Sequence, residues 1–306
     1  MAYDVSNLSA YTDETSDVYL YQTIAEGTTT GLIPNVQTGI KSADKIKIVN
    51  TTGVWQAGGS CGFTASGSST FSDRTLTVGK IKINLEWCEK TLESKYTQAQ
   101  MKAGSTYEAL TFEKEFVGQL TNNDKANVEN VVWNGNTSSG DAYLARFDGF
   151  RKIIKAASGT LQTSTSGSTA WSSANSRTVM QSFAAKVSAS LPQFLSDSDV
   201  VCFIGTAEYT DLKLKYIADN LYHITGEENL KVEGTNIPLV PVQGLSGKQE
   251  IYLMKKSNMY LGVDLEGEED SFKIWYSMDD DVIRYKKEFK MGVQVAFPSE
   301  IIFYKQ

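Results

Sequence analysis

Strict alternation of apolar and polar side chains marks the clearest elements of the chain. Residues 45–49 (KIKIV) alternate with period two. So do residues 76–88, where Ile81, Ile83, Leu85 and Trp87 fall on one face and Lys80, Lys82, Asn84 and Glu86 on the other. That period is the mark of a strand with one covered face. Between them, residues 50–75 are rich in Gly, Ser and Thr and carry Trp55, Phe63 and Phe71. The pattern predicts two strands joined by a long loop, an extended hairpin. A two-stranded ribbon is marginal in water, so the apolar face of a projecting hairpin needs another chain.

Helical spacing takes over further along. Ser105 and Glu108 fit a capping box, and Tyr107, Leu110, Phe116, Val117, Leu120, Val128 and Val131 follow as a stripe. One long helix is expected over 106–133, with Asn122-Asn123-Asp124 as its weak point and Trp133-Asn134-Gly135-Asn136 ending it in left-handed-tolerant residues. Phe147-Asp148-Gly149-Phe150 reads as a turn and 150–157 as a short helix; residues 158–176 are a low-complexity loop. Asn175 or Ser176 then caps an amphipathic helix carrying Val179, Met180, Phe183, Ala184, Val187 and Leu191. Residues 199–205 form a continuous apolar run, a buried strand. Thr206 caps a helix to about 220, with Tyr209, Leu212, Tyr216 and Ile217 inward. With short strands over 237–264, residues 151–264 read as an α/β module. Long strands return at 271–304, around the acidic turn Asp279-Asp280-Asp281, with Gly292 as a bulge and Pro298 ending the run. Residues 1–44 are polar with scattered anchors, Tyr19 and Tyr21 among them, and read as an arm that packs on something else.

Composition narrows the function. The chain has 306 residues, 41% apolar and 21% charged, enough for one large domain or two smaller ones. Its formal net charge is −7, and its cations are 24 Lys and 5 Arg; a free-standing nucleic-acid binder is usually basic. Cys61, Cys88 and Cys202 stand far apart and fit neither a disulfide framework nor a zinc site. No apolar run approaches a membrane span, and the N-terminus lacks the pattern of a signal peptide. Gly58-Gly59-Ser60-Cys61-Gly62 lacks the Lys-Ser/Thr of a phosphate loop. Asp279-Asp280-Asp281 reads as a solvated turn or an ionic contact between subunits rather than a cation site, and Glu266, Glu268, Glu269 and Asp270 as a solvated loop. His223, the only histidine, has no nucleophile and orienting group around it in the sequence. No catalytic residue, cofactor or metal is expected.

The order of elements carries a resemblance. Phe71-x-x-x-x-Leu76-x-Val78-x-Lys80 looks like the outgoing strand of an extended loop. Val131-Val132-Trp133-Asn134-Gly135-Asn136, with Phe147-Asp148-Gly149-Phe150, looks like the end of a spine helix and its turn. Gly292-Val293-Gln294-Val295-Ala296-Phe297-Pro298-x-x-Ile301 looks like closing strands. In this order the chain resembles the major capsid proteins of tailed double-stranded-DNA bacteriophages, the Hong-Kong-type (Johnson) fold. The resemblance implies an α+β chain: an N-terminal arm (1–44), an extended β-hairpin loop (45–88), a peripheral domain with a long spine helix and sheet (89–150 and 265–306), and an axial α/β domain (151–264). It implies a virion protein, assembled in the host cytoplasm into hexamers and pentamers of an icosahedral shell around packaged DNA, without sequence-specific DNA binding or a membrane. Portal and possible decoration proteins would be partners. Because the chain opens at Met1 without a charged helical pre-segment, a separate scaffolding protein is expected. Some members of the family cross-link subunits through Lys and Asn, helped by an acid; here Glu288 falls near the acid position, but Asp281 falls near that of the Asn, so no cross-link is expected.

The subunit contacts expected are Tyr19, Tyr21, Trp55, Phe63, Phe71, Ile81, Ile83 and Leu85 in arm and loop, and Asp279, Asp280 and Asp281 in the acidic turn. Deleting residues 1–30 should leave a soluble fold that closes no shell. An encapsulin-like nanocompartment shares the fold and is the nearest alternative. A Ser/Thr-rich surface binding module is an alternative of a different class, disfavoured by the absent signal peptide.

Overall fold

The computed structural model describes residues 27–56, 66–88, 110–162, 171–221, 230–264, 272–280 and 282–305. Tyr19, Tyr21, Cys61, Phe63, Ser105 to Glu108, His223, Glu266 to Asp270 and Asp281 lie outside them. In chain order the elements are β1 (Asn35–Gln37), β2 (Ala43–Gly53), β3 (Gly67–Thr77), β4 (Gly79–Cys88), α1 (Leu110–Asn134), α2 (Phe150–Ala156), β5 (Leu161–Gln162), α3 (Ser176–Ser190), β6 (Val200–Gly205), α4 (Thr206–Ala218), β7 (Leu239–Val242), β8 (Ile251–Lys255), β9 (Met259–Asp264), β10 (Phe272–Ser277), β11 (Val282–Val295) and β12 (Ile302–Tyr304).

The long strand β11 organises the first sheet. Its odd-numbered residues from Ile283 to Val295 are buried and its even-numbered ones, Gly292 apart, are half-buried, the period-two signature of one covered face. It pairs antiparallel with β10 along one edge and then with β9, while β4 runs along its other edge. β1 adds to β9 in parallel. The second sheet has the order β5-β12-β8-β6-β7. Both of its faces are covered, which is why β6 reads as a continuous apolar run. Val201 and Phe203 point into the core shared with α1, α2 and β11. Val200, Cys202 and Ile204 point into a second core under α3 and α4, built on Met180, Phe183, Val187, Leu212 and Tyr216.

Trp133, fully buried near the end of α1, ties the two sheets together. Its ring lies 5.5 Å from Phe150 of α2, 5.2 Å from Phe203 of β6 and 5.5 Å from Tyr252 of β8, tilted contacts that add to simple burial. Its indole N–H donates to the Thr29 hydroxyl at 2.7 Å. Residues 27–44 are thus built into the body through Thr29, Ile33 and β1, not laid out as a free arm.

The structure corrects several expectations. β2 pairs with Gly67–Thr77, not with 76–88, so much of the supposed loop is strand. The alternating segment that holds Ile81, Ile83 and Leu85 pairs with β11 instead. Met259–Asp264 joins the first sheet and Ile302–Tyr304 the second, so the chain returns to the first sheet earlier than expected and crosses between layers once more at its end. α1 runs unbroken through Asn122-Asn123-Asp124; Asp124 turns inward to Lys287 at 3.0 Å. Gly135 has no left-handed φ. It is needed for close approach, since a Cβ there would lie 2.6 Å from the Val131 carbonyl oxygen and against that of Phe147. Gly292 keeps its register as no bulge would, opposite Gly262. Neither α3 nor α4 has a side-chain cap; the Asn175 carboxamide instead accepts from Ser172 N–H at 2.8 Å. Ile217 faces outward.

Candidate assembly surfaces

The β2–β3 hairpin divides into a packed base and a bare end. Its register runs from Ala43 opposite Thr77 to Gly53 opposite Gly67. At the base, Ile46, Ile48, Leu76 and Val78 bury themselves with Ile40 and Ala296. Beyond Ile48 every described residue of both strands, 49–56 and 66–73, is exposed. Five paired positions at about 3.4 Å each carry the ribbon roughly 17 Å past its last buried residue. Thr and Ser hold it together from strand to strand, Ser69 donating to Thr51 at 3.2 Å. Val49 stands directly opposite Phe71, on the face away from Ile46 and Ile48, and Phe71 is 79% exposed. Trp55, near the tip, is 99% exposed. Such a ribbon leaves two rows of unpaired backbone groups and its largest aromatic side chains in water, a surface that proteins normally cover.

The other expected contact residues are placed differently. Ile81 and Ile83 are half-buried against the main core, and Leu85 is exposed on the same strand. They belong to the sheet of the body and not to the hairpin. At the acidic turn, Asp279 and Asp280 are exposed, and Arg284 donates to Asp280. Sequence reasoning missed Met278 in the same turn, 89% exposed; a methionine between a strand end and three acids carries no periodic signal. Glu288, exposed in part, pairs with Lys82 at 3.2 Å and Lys286 at 3.3 Å, and these cations hold its carboxyl below the usual range.

Buried charges fix the body from which the hairpin projects. Glu250, just before β8, works against burial, which would raise its pKa. Hydrogen bonds from Arg151 at 2.7 Å, Lys155 at 2.6 Å and the Tyr252 hydroxyl at 2.5 Å win, and its carboxyl is held at about 2. Arg151 also donates to Asn134 at the end of α1. Glu129 of α1 is pushed up by burial, opposed by hydrogen bonds from the Thr29 N–H at 3.1 Å and the Thr29 hydroxyl. Lys287, fully buried on the inward face of β11, is driven down by burial, against the pull of Asp124. Burial likewise pushes the Cys202 thiol up and leaves it inert. Among the described residues no group of three or more His, Cys, Asp and Glu could hold a metal ion, and no helix is long and apolar enough to cross a membrane.

No family model and no curated protein matches the sequence. Solved structures do match. A chain of the satellite phage P4 procapsid is 12% identical with a TM-score of 0.60, over 95% of this chain and 90% of that one. A chain of the cyanophage A-1(L) capsid asymmetric unit is 14% identical with a TM-score of 0.58, over 92% of each. A chain from Gordonia phage Cozz is 11% identical with a TM-score of 0.58, over 91% of this chain and 86% of that one. At these identities the likeness is one of fold, and it spans nearly the whole chain. The protein has the α+β fold of tailed-phage capsid proteins, the Hong-Kong-type fold.

Proposed function

We propose that this chain is the major capsid subunit of a tailed bacteriophage. Copies associate into hexamers and pentamers of an icosahedral shell that encloses packaged double-stranded DNA. The observation that carries the reading is the β2–β3 ribbon: a body with the capsid fold extends about 17 Å of strand whose residues are all exposed. Obligate interfaces bury about 2,000 Å² or more, and closed symmetry covers every copy's surface in the same way. The role is structural and not enzymatic. Residues 1–44 supply the arm, seated on the body from residue 27 onward, and 45–88 the extended loop, whose last segment, Gly79–Cys88, returns into the body's sheet. Residues 89–150 with 265–306 form the peripheral part and 151–264 the axial part, with β9 and β12 exchanged between their sheets. Tyr19, Tyr21, Trp55, Phe63 and Phe71 contact neighbours from arm and loop, Ile81, Ile83 and Leu85 from the sheet edge, and Asp279, Asp280 and Asp281 from the acidic turn. Its partners are a separate scaffolding protein during assembly and a portal protein, and an outer decoration protein where the virion carries one. The net charge of −7 suits a container that confines DNA without gripping it.

Negative-stain electron microscopy of the purified chain, alone and with its scaffold, tests this. Closed shells of uniform diameter are expected. A monodisperse monomer under every condition would refute it.

A further inference from the structure

A cavity of about 540 Å³ lies beside β4, between that strand, α1 and the helical turn Leu144–Arg146. Its wall is apolar: Ile81 and Ile83 from β4, Val128 and Val131 from α1, Phe147, and Phe289 from β11. A concavity of this size with few polar groups is what a docked side chain or ligand needs. Its charged lining is lopsided. Lys80, Lys82 and Arg146 are exposed cations, and Lys82 spends part of its charge on Glu288 at 3.2 Å. The acid in the lining, Asp124, is taken up by Lys287 at 3.0 Å.

The complementary shape is carried by the turn after β10. Met278 stands 89% exposed, followed by exposed Asp279 and Asp280. Arg284 engages Asp280, so among the described residues of the turn Asp279 is the carboxylate without an ion pair to Arg284. An unbranched thioether adapts to irregular pockets and gains from aromatic contact, and Phe147 and Phe289 stand ready in the cavity wall.

The register forbids this contact within one chain. Val282, at the turn, lies opposite Cys88, whereas Lys290 lies opposite Lys80. From the turn to the β4 residues that line the cavity, Ile83 to Lys80, is five to eight strand residues, about 17–27 Å. The turn thus closes one end of the sheet, and the cavity lies further along β4, out of its reach. We propose that Met278 of one copy enters the cavity of a second copy, with its Asp279 against Lys80 and Arg146. The proposal rests on the shell reading and names the partner of the acidic turn. A knob at one end of the sheet and its socket further along it make a heterologous contact, which builds rings when the rotation closes and filaments when it does not. Charge complementarity sets its direction and excludes knob-to-knob pairing.

The test reverses charges. Asp279→Lys and Lys80→Glu change exposed side chains, so each variant should keep the melting temperature of the parent. Self-association is read by sedimentation velocity of unassembled chain over a concentration series. Each single reversal should weaken it at least tenfold. The chain carrying both reversals should recover it to within about threefold, and so should an equimolar mixture of the two single variants, because each then finds the opposite charge on the other. Met278→Ser should weaken association without being rescued by either reversal. Association unchanged by the single reversals, or lost in them and not restored by combination or mixing, overturns the proposal. Shells that form normally from Asp279→Lys overturn it while leaving the shell reading intact. Failure of the parent to form shells removes that reading, and the association series still decides the contact.

Discussion

Replacing Glu250 by Gln tests the joint between the two sheets. Glu250, just before β8, receives Arg151 and Lys155 from α2, and Arg151 also reaches Asn134 of α1. The carboxyl is displaced from its ordinary 4.5 to about 2, which at about 1.4 kcal/mol per pH unit is worth roughly 3 kcal/mol. Arg151 and Lys155 remain 21% and 28% exposed, so water screens part of this, and a cost of about 2 kcal/mol is expected. At about 2–4 °C per kcal/mol, the melting temperature of unassembled protein at pH 7 should fall by roughly 4–8 °C. The sign with pH follows from the lowered pKa. The stabilisation is complete above 4.5 and drains away as pH falls toward 2, so the difference between parent and variant should shrink to less than half by pH 3. Calorimetric or circular-dichroism melts of both proteins from pH 7 to pH 3 measure it. An unchanged melting temperature at pH 7, or a deficit that stays constant down to pH 3, would refute the reasoning.

Other outcomes follow from the same geometry. Trp55→Ser and Phe71→Ser remove only exposed side chains; each should shift the stability of the unassembled chain by less than about 0.5 kcal/mol and still abolish shells in electron micrographs. Gly135→Ala places a methyl 2.6 Å from the Val131 carbonyl oxygen and should cost about 1–3 kcal/mol or more in a denaturant titration. Glu129→Gln removes a buried carboxylate whose pKa is raised by burial. Ionising that group weighs on the folded state above pH 4.5, so the variant should melt higher than the parent at pH 8, and the gap should close as pH falls toward 4.5; a variant that melts lower at pH 8 would contradict this.

Legibility in the sequence followed local period. β11 and the buried face of α3 could be read because the side chains that make them repeat at the spacing of their own element, and β6 because a strand covered on both faces is a short unbroken apolar run. The hairpin was mispaired for a physical reason. Residues 67–73 face water on both sides, so they show Ser, Thr and Gly where a half-buried strand shows alternation. The true partner of β4 is β11, some two hundred positions away, and a periodic pattern reveals a covered face but not what covers it. Lys287 breaks the apolar pattern of its strand, and its ion pair with Asp124 on a distant helix carries no local signal. Gly135 and Gly149 resembled ordinary turn residues, yet they are small because two backbone segments touch there, Gly149 N–H donating to Gly135 O at 2.9 Å. Of the proposed contact surfaces, Trp55 and Phe71 were legible as aromatics in a polar tract. Met278 and the cavity were not, since both arise only when distant segments fold together.

Electron cryomicroscopy of the assembled particle, at a resolution that shows side chains, reaches the central claim most directly. The account predicts a closed shell in which Trp55 and Phe71 of each copy are buried against a neighbouring copy. Finding both residues folded back on their own subunit, or still in solvent inside a complete shell, would contradict it.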